Sequence, residues 1–236
     1  MSMVGNDNIK LTWFGHSCLK MQTGNTSLYL DPVRENHLLR TTLNPRKERK
    51  ASAIFISHEH WDHFDPDTVM ALSNDSTTIC CPRTVAEPLS LAMSFEARDI
   101  DGLRKLFKRM RPCKVGDSVD VAGVQVRILQ ATEGLAFLVI HNGKKILFMG
   151  DSIATKAMIK EAPDVVFFPV WAIIGKEANL DLFLKLAEGA TCIPIHYHKS
   201  KRAFPYFYAK VSDIRKALPS NIKIVFMKRG AILRIP

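Results

Sequence analysis

The chain has 236 residues, 47% hydrophobic and 24% charged, with a formal net charge of +10. That balance suits a soluble globular protein of one large domain or two small ones and excludes a disordered or fibrous chain. The longest apolar run falls far short of the ~18 residues that span a bilayer, and the opening MSMVGNDNIK lacks the apolar core of a secretory signal. Cys18, Cys80, Cys81, Cys113 and Cys192 are odd in number and show no CxxC spacing. They point to reduced, mostly buried thiols in a cytoplasm rather than to disulfides or a thiolate metal site.

In chain order, IKLTWFG (9–15), CLKMQT (18–23) and SLYLDP (27–32) read as strands, the last two joined at Gly24-Asn25. A further apolar run, ASAIFIS (51–57), ends at a histidine-rich string, SHEHWDHFD. Next comes DPDTVMALS, with Asp65 as helix N-cap and Pro66 at the first helical position. The string therefore occupies a loop between a buried strand and a helix.

TTICC (77–81) reads as a strand, and 82–93 as a helix broken by Pro88. Basic runs stand at 46–50, 104–114 and 198–202. They read as solvated surface, with attraction of anionic substrates, phosphates or nucleic acid as the functional alternative. No aromatic-rich RNA motif or zinc-finger spacing accompanies them. Strands follow at 118–122, 124–130, 135–141 and 144–151, the last two flanking Asn142-Gly143, a strong hairpin signal. Helix and strand then alternate: helix 154–161, strand 164–170, helix 179–188 stopped by Gly189, strand 191–196, helix 206–217, and strands 222–227 and 231–235. Hairpins first and helices between later strands, in each half, suggest sheets packed together with helices outside.

A metal site accounts best for three histidines in six residues. The His58-x-His60 spacing in an extended loop sends two imidazoles the same way. Neutral imidazole suits zinc, iron and related metals, and neighbouring carboxylates add charge. Asp62 and His63, adjacent in sequence, can serve different positions.

The string resembles the His-x-His-x-Asp-His signature of the metallo-β-lactamase superfamily. The resemblance is to the branch holding ascorbate-phosphate lactonase-like and N-acylphosphatidylethanolamine phospholipase D-like hydrolases. WFGHSC (13–18), LYLDP (28–32), KILFMGDS (145–152) and CIPIHY (192–197) resemble further motifs of that branch, in order, along nearly the whole chain. The resemblance implies an α+β, four-layer αββα sandwich, with residues 1–236 as a single metallo-β-lactamase-like domain. It implies one or two zinc ions, with manganese or iron as alternatives. His58 and His60 are expected at the first metal, Asp62, His63 and His196 at the second, and Asp151 as the bridge. Asp31 is expected behind a ligand histidine, and His16 near the pocket, within reach of substrate or as an ordinary turn residue.

One position departs from the pattern. Relatives carry another histidine in an Ala-x-His motif before the Gly-Asp motif, whereas this chain has QATEGLAF (130–137), with Glu133 at that place. His141 is no substitute. A two-residue turn at Asn142-Gly143 sets Leu135 opposite Gly150 and Glu133 opposite Ser152, beside Asp151. His141 is eight residues away, roughly 26 Å at about 3.3 Å per residue. Glu133 is therefore a metal ligand, a general acid or base beside a weakened site, or the mark of a mononuclear or inactive protein, the first being preferred.

Trp171 reads as core rather than pocket wall, and His198 as part of a solvated basic loop. The expected activity is hydrolysis by a metal-bound hydroxide. Asp62 is expected to orient that hydroxide, with Glu133 and His16 as further catalytic candidates. The bond expected is an ester, lactone or phosphodiester, and the expected substrate is small and anionic. The alternatives are a non-catalytic metal- or partner-binding module and a nucleic-acid processing enzyme, the latter disfavoured because it usually needs an extra domain.

Overall fold

The computed structural model describes residues 8–36, 39–87, 100–197 and 209–236. Two seven-stranded sheets organise them. The first has the order β14-β1-β2-β3-β4-β5-β6 and the second β13-β12-β11-β10-β9-β8-β7. In the first, β1 (Ile9–Gly15), β2 (Cys18–Thr23) and β3 (Thr26–Leu30) form an antiparallel meander. Then β4 (Ala53–Phe55), β5 (Thr78–Cys81) and β6 (Met110–Pro112) add in parallel. The second sheet repeats the plan. Here β7 (Ser118–Val121), β8 (Val124–Gln130), β9 (Leu135–His141) and β10 (Lys144–Phe148) are antiparallel. They are followed by parallel β11 (Val165–Pro169), β12 (Thr191–Ile195) and β13 (Lys223–Ile224). Strand β14 (Ala231–Ile235) returns to pair with β1.

Burial follows from residue spacing. In β8, Val124, Val126 and Ile128 are buried while Gln125 is exposed, the period of two expected of a sheet covered on one face. In β4 all three residues are buried because both faces are covered. Ala53 and Phe55 join the core between the sheets, and Ile54 joins a second core with Val69, Leu72 and Leu106 from helices Pro66–Leu72 and Ile100–Arg109. Phe55 and Phe137 meet across the two sheets with ring centroids 5.4 Å apart. On the far side Phe168 packs on Phe183 of helix Leu180–Ala187 at 4.6 Å. Helices thus cover the outer face of each sheet, giving the four-layer αββα sandwich.

Several expectations are refined. Helix Pro66–Leu72 starts at Asp65, but the Asp65 side chain accepts no backbone N–H; it takes the Thr68 hydroxyl at 2.6 Å and faces Arg34. The basic run at 104–114 belongs to helix Ile100–Arg109 and edge strand β6, elements hidden in the sequence by charge and by Pro112. Trp171 is half-buried at the start of the short helix Trp171–Ile174. Residues 88–99, Pro88 among them, and the 198–202 run with His198 lie outside the described residues. Among the described residues no helix is long and apolar enough to cross a membrane.

The topology fixes where chemistry can gather. Strands β1, β3 and β4 run in one direction in the first sheet, as do β10, β11 and β12 in the second. Their carboxyl ends, together with the start of β9, form one rim.

Candidate metal centre

That rim collects side chains from six stretches of the sequence. His16 stands in the β1–β2 turn, Asp31 just after β3, and Ser57 to His63 after β4. Glu133 precedes β9, Asp151 follows β10 and His196 follows β12. Three of these non-glycine residues adopt left-handed backbone angles, His16 at φ 52, Asp31 at 45 and His196 at 60. Such angles are strained, and they persist where surrounding bonds over-determine them. Here the bonds are explicit. The His196 N–H donates to the His16 carbonyl at 3.1 Å, the Asp31 N–H to the Phe55 carbonyl at 2.9 Å, and Trp13 Nε1 to the His16 carbonyl at 2.9 Å.

Donor atoms converge in two adjoining groups, the atoms of each lying within 4.8 Å of one another: His16, Asp62, His63 and His196; and His58, His60, Glu133 and Asp151. His63 Nε2 and His196 Nε2 each lie 3.2 Å from Asp151 Oδ1, so Asp151 joins the groups. Asp62 Oδ2 lies 2.8 Å from His16 Nε2 and 3.3 Å from His196 Nε2. His58 Nε2 is 3.1 Å from His60 Nδ1, and His60 Nε2 is 3.3 Å from Glu133 Oε1. The first group is buried throughout, whereas the His60 and Glu133 side chains are 53% and 45% exposed. Solvent reaches the centre from their side.

The bonding behind these atoms selects tautomers. Ser57 Oγ donates its one proton to Asp31 Oδ2 at 2.6 Å, so it accepts from His58 Nδ1 at 2.9 Å. Asp31 Oδ2 also accepts from His63 Nδ1 at 2.7 Å, and Asp31 Oδ1 from the Ser57 N–H at 2.7 Å. With their Nδ1 protons committed, His58 and His63 turn Nε2 inward, where a metal would displace the second proton that the carboxylates favour on His63, the arrangement of a metal-binding imidazole held by a carboxylate or hydroxyl. His63 Nε2 and Asp151 Oδ1 are buried yet make no hydrogen bond among the described residues, although 3.2 Å apart. Buried polar atoms are seldom left so. An imidazole nitrogen and a carboxylate oxygen facing one point need a proton or a metal cation between them, and the imidazole–carboxylate set suits a divalent transition metal.

Electrostatics agree. Burial, aided by the neighbouring His196, lowers the His16 pKa to about 3. Burial, aided by His63, does the same to His58, also to about 3. Burial opposes charge on His196 too, but Asp151 and Asp62 outweigh it and raise its pKa to about 9. His63 is likewise raised, against burial, by Asp151 and Asp31. Asp62 and Asp151 are both held below the usual carboxylate range, burial being overcome by the histidines around them. The carboxylates thus demand positive charge at their centre, which protons or a metal ion can supply.

Of the candidate residues, His58, His60, Asp62, His63, Glu133, Asp151 and His196 all come together. His16 comes with them, its side chain fully buried and its Nε2 2.8 Å from Asp62 Oδ2, the oxygen that also faces His196. His141 stays at its hairpin, where it contacts Thr23 and the Gly123 carbonyl. The β9–β10 register pairs His141 with Lys144 and Phe137 with Phe148, as a two-residue turn requires. Two serines escaped the sequence reading: Ser57, which organises Asp31 and His58, and Ser17, whose hydroxyl donates to the Asp62 carbonyl at 2.9 Å. Both lie beside motif histidines, but serine side chains in turns are too common to signal a role.

Residues 10–196 match the beta-lactamase superfamily domain. A UPF0173 metal-dependent hydrolase of Archaeoglobus fulgidus is 26% identical over 243 residues, covering 94% of this chain and 97% of its own. The solved structure of Igni18, a metallo hydrolase from Ignicoccus hospitalis, superposes with a TM-score of 0.72 at 21% identity, over 97% of this chain and 99% of that one. CmlA, a diiron β-hydroxylase from Streptomyces venezuelae, shares the fold at a TM-score of 0.60 and 12% identity, over 97% of this chain and 54% of that one. The fold therefore does not choose the chemistry by itself. With the family domain matched over most of its length and the rim cluster built from that family's motifs, the chain belongs to the metallo-β-lactamase superfamily.

Proposed function

We propose that the chain, read as one catalytic domain over residues 1–236, is a metal-dependent hydrolase with two adjoining metal subsites. One observation carries the reading: eight imidazole and carboxylate side chains from both sheets converge in two touching groups, with buried polar atoms left for a cation. His63, His196 and Asp62 would hold the inner ion, for which zinc is the expected metal. His58, His60 and Glu133 would hold the outer one, and Asp151 would bridge. A bound divalent ion supplies Lewis acidity, lowering the pKa of water from 15.7 towards roughly 7.

The chain's own residues do the rest. Asp62, fixed by His16 on its carboxylate and Ser17 on its carbonyl, orients the attacking water. Asp31 and Ser57 hold His63 and His58 in the ligating tautomer. The half-exposed side of Glu133 and His60 is the entry for a small substrate. The net charge of +10 favours an anionic one. The five buried, free cysteines fit a reducing cytoplasm. The test is turnover of a panel of lactones, esters and phosphodiesters with added zinc or manganese. Hydrolysis abolished in Asp62→Ala is expected; no turnover on any substrate, or turnover indifferent to that substitution, sinks the reading.

A further inference from the structure

The outer group offers two imidazoles and two carboxylates, from His58, His60, Glu133 and Asp151. Glu133 supplies the carboxylate that belongs to this subsite alone, and its place is built rather than incidental. Just before it, the Thr132 N–H donates to Ser152 Oγ at 2.9 Å, beside Asp151. Just after it, the Leu135 N–H donates to the Ser57 carbonyl at 3.0 Å, beside His58. Between them Gly134, at φ +63, lies so close to the histidine loop that a Cβ there would be 2.2 Å from the Ser57 carbonyl oxygen and 2.7 Å from His58 Cβ. The segment is anchored to both metal-binding loops on either side of Glu133, whose Oε1 ends 3.3 Å from His60.

Resting on the binuclear reading above, we propose that Glu133 tunes the outer subsite away from zinc and towards iron(II) or manganese(II). Two imidazoles with carboxylate oxygens and an open, solvated side are the donor set that suits non-haem iron, and carboxylate-rich sets suit manganese. A third imidazole in its place would leave a softer set that favours zinc. Zinc stays ahead of both ions in raw affinity at either set, as the Irving–Williams order requires. Glu133 therefore moves the ratio of affinities, which decides occupancy where zinc is scarce.

The experiment is a competition titration under nitrogen. Chelator-treated full-length protein receives one equivalent of zinc and is then titrated with manganese(II) against further zinc, bound manganese being read from loss of the free-ion electron paramagnetic resonance signal. Glu133→His should raise the zinc-over-manganese ratio about tenfold or more, and Glu133→Gln should weaken manganese about tenfold with little effect on the first zinc. A ratio unchanged in Glu133→His, or manganese binding indifferent to Glu133→Gln, overturns the proposal. Failure to bind any transition ion sinks the metal-centre reading instead, and binding without hydrolysis sinks only the hydrolase reading.

Discussion

The backbone N–H of His196, at the end of a strand in one sheet, donates across 3.1 Å to the carbonyl of His16 in a turn of the other. Their rings lie 4.0 Å apart, and His16 Nε2 continues to Asp62. The metal centre is thus stitched at a seam, and loss of the His16 imidazole should loosen it. Asparagine tolerates the left-handed angle of residue 16, so His16→Asn separates side-chain loss from backbone strain. It should lower metal affinity about 10–100-fold, the usual cost of losing a partner behind a ligand. Isothermal titration with zinc checks this, and unchanged affinity would reduce His16 to a packing residue.

Asp31 receives three hydrogen bonds, from the Ser57 N–H, Ser57 Oγ and His63 Nδ1. Asp31→Asn preserves shape and tolerates φ 45, but it replaces one acceptor oxygen with a donor and removes the charge that holds the His63 tautomer. The expected result is again a 10–100-fold loss of metal affinity, with the fold retained by circular dichroism. Equal competition with a chelator before and after the change would contradict the tautomer argument.

Gly134→Ala tests the anchoring of Glu133. The added methyl faces the Ser57 carbonyl and the His58 side chain at a positive φ. Strain of about 1–3 kcal/mol is expected, together with displacement of the Glu133 segment. Thermal unfolding should register the loss and the outer ion should bind more weakly. A variant as stable as the parent with intact two-ion binding would show that the segment has room to move.

The pH dependence has a definite sign. In metal-free protein the His196 pKa is raised to about 9, and that of His63 is raised as well, by Asp151 with Asp62 or Asp31. A raised pKa stabilises the fold fully below the unfolded value of 6.5, and the contribution fades as pH rises through about 9. Chelator-treated protein should therefore lose thermal stability on going from neutral pH to above about 9, and metal-loaded protein should not. Metal uptake near neutral pH should release about two protons, falling as His196 deprotonates. Identical stability curves with and without metal, or uptake without proton release, would show that these histidines are not the groups displaced.

What the sequence determined by itself was local or periodic. Alternating burial in β8, the Asn142-Gly143 turn and its register, and the ligand string after β4 are set by residues close in the chain, so a linear reading finds them. The same reading lost helix Ile100–Arg109, whose charges mask an apolar stripe, and found Asp65 at the helix N-cap but not its bond from the Thr68 hydroxyl. Tertiary structure alone decided that His16 meets Asp62, that Ser57 joins Asp31 to His58, and that Glu133 is clamped beside His60 by contacts of Gly134 and Leu135. Those relations depend on how two sheets meet. Hydrogen bonds act over about 3 Å in space, while the residues they join here lie tens of positions apart along the chain.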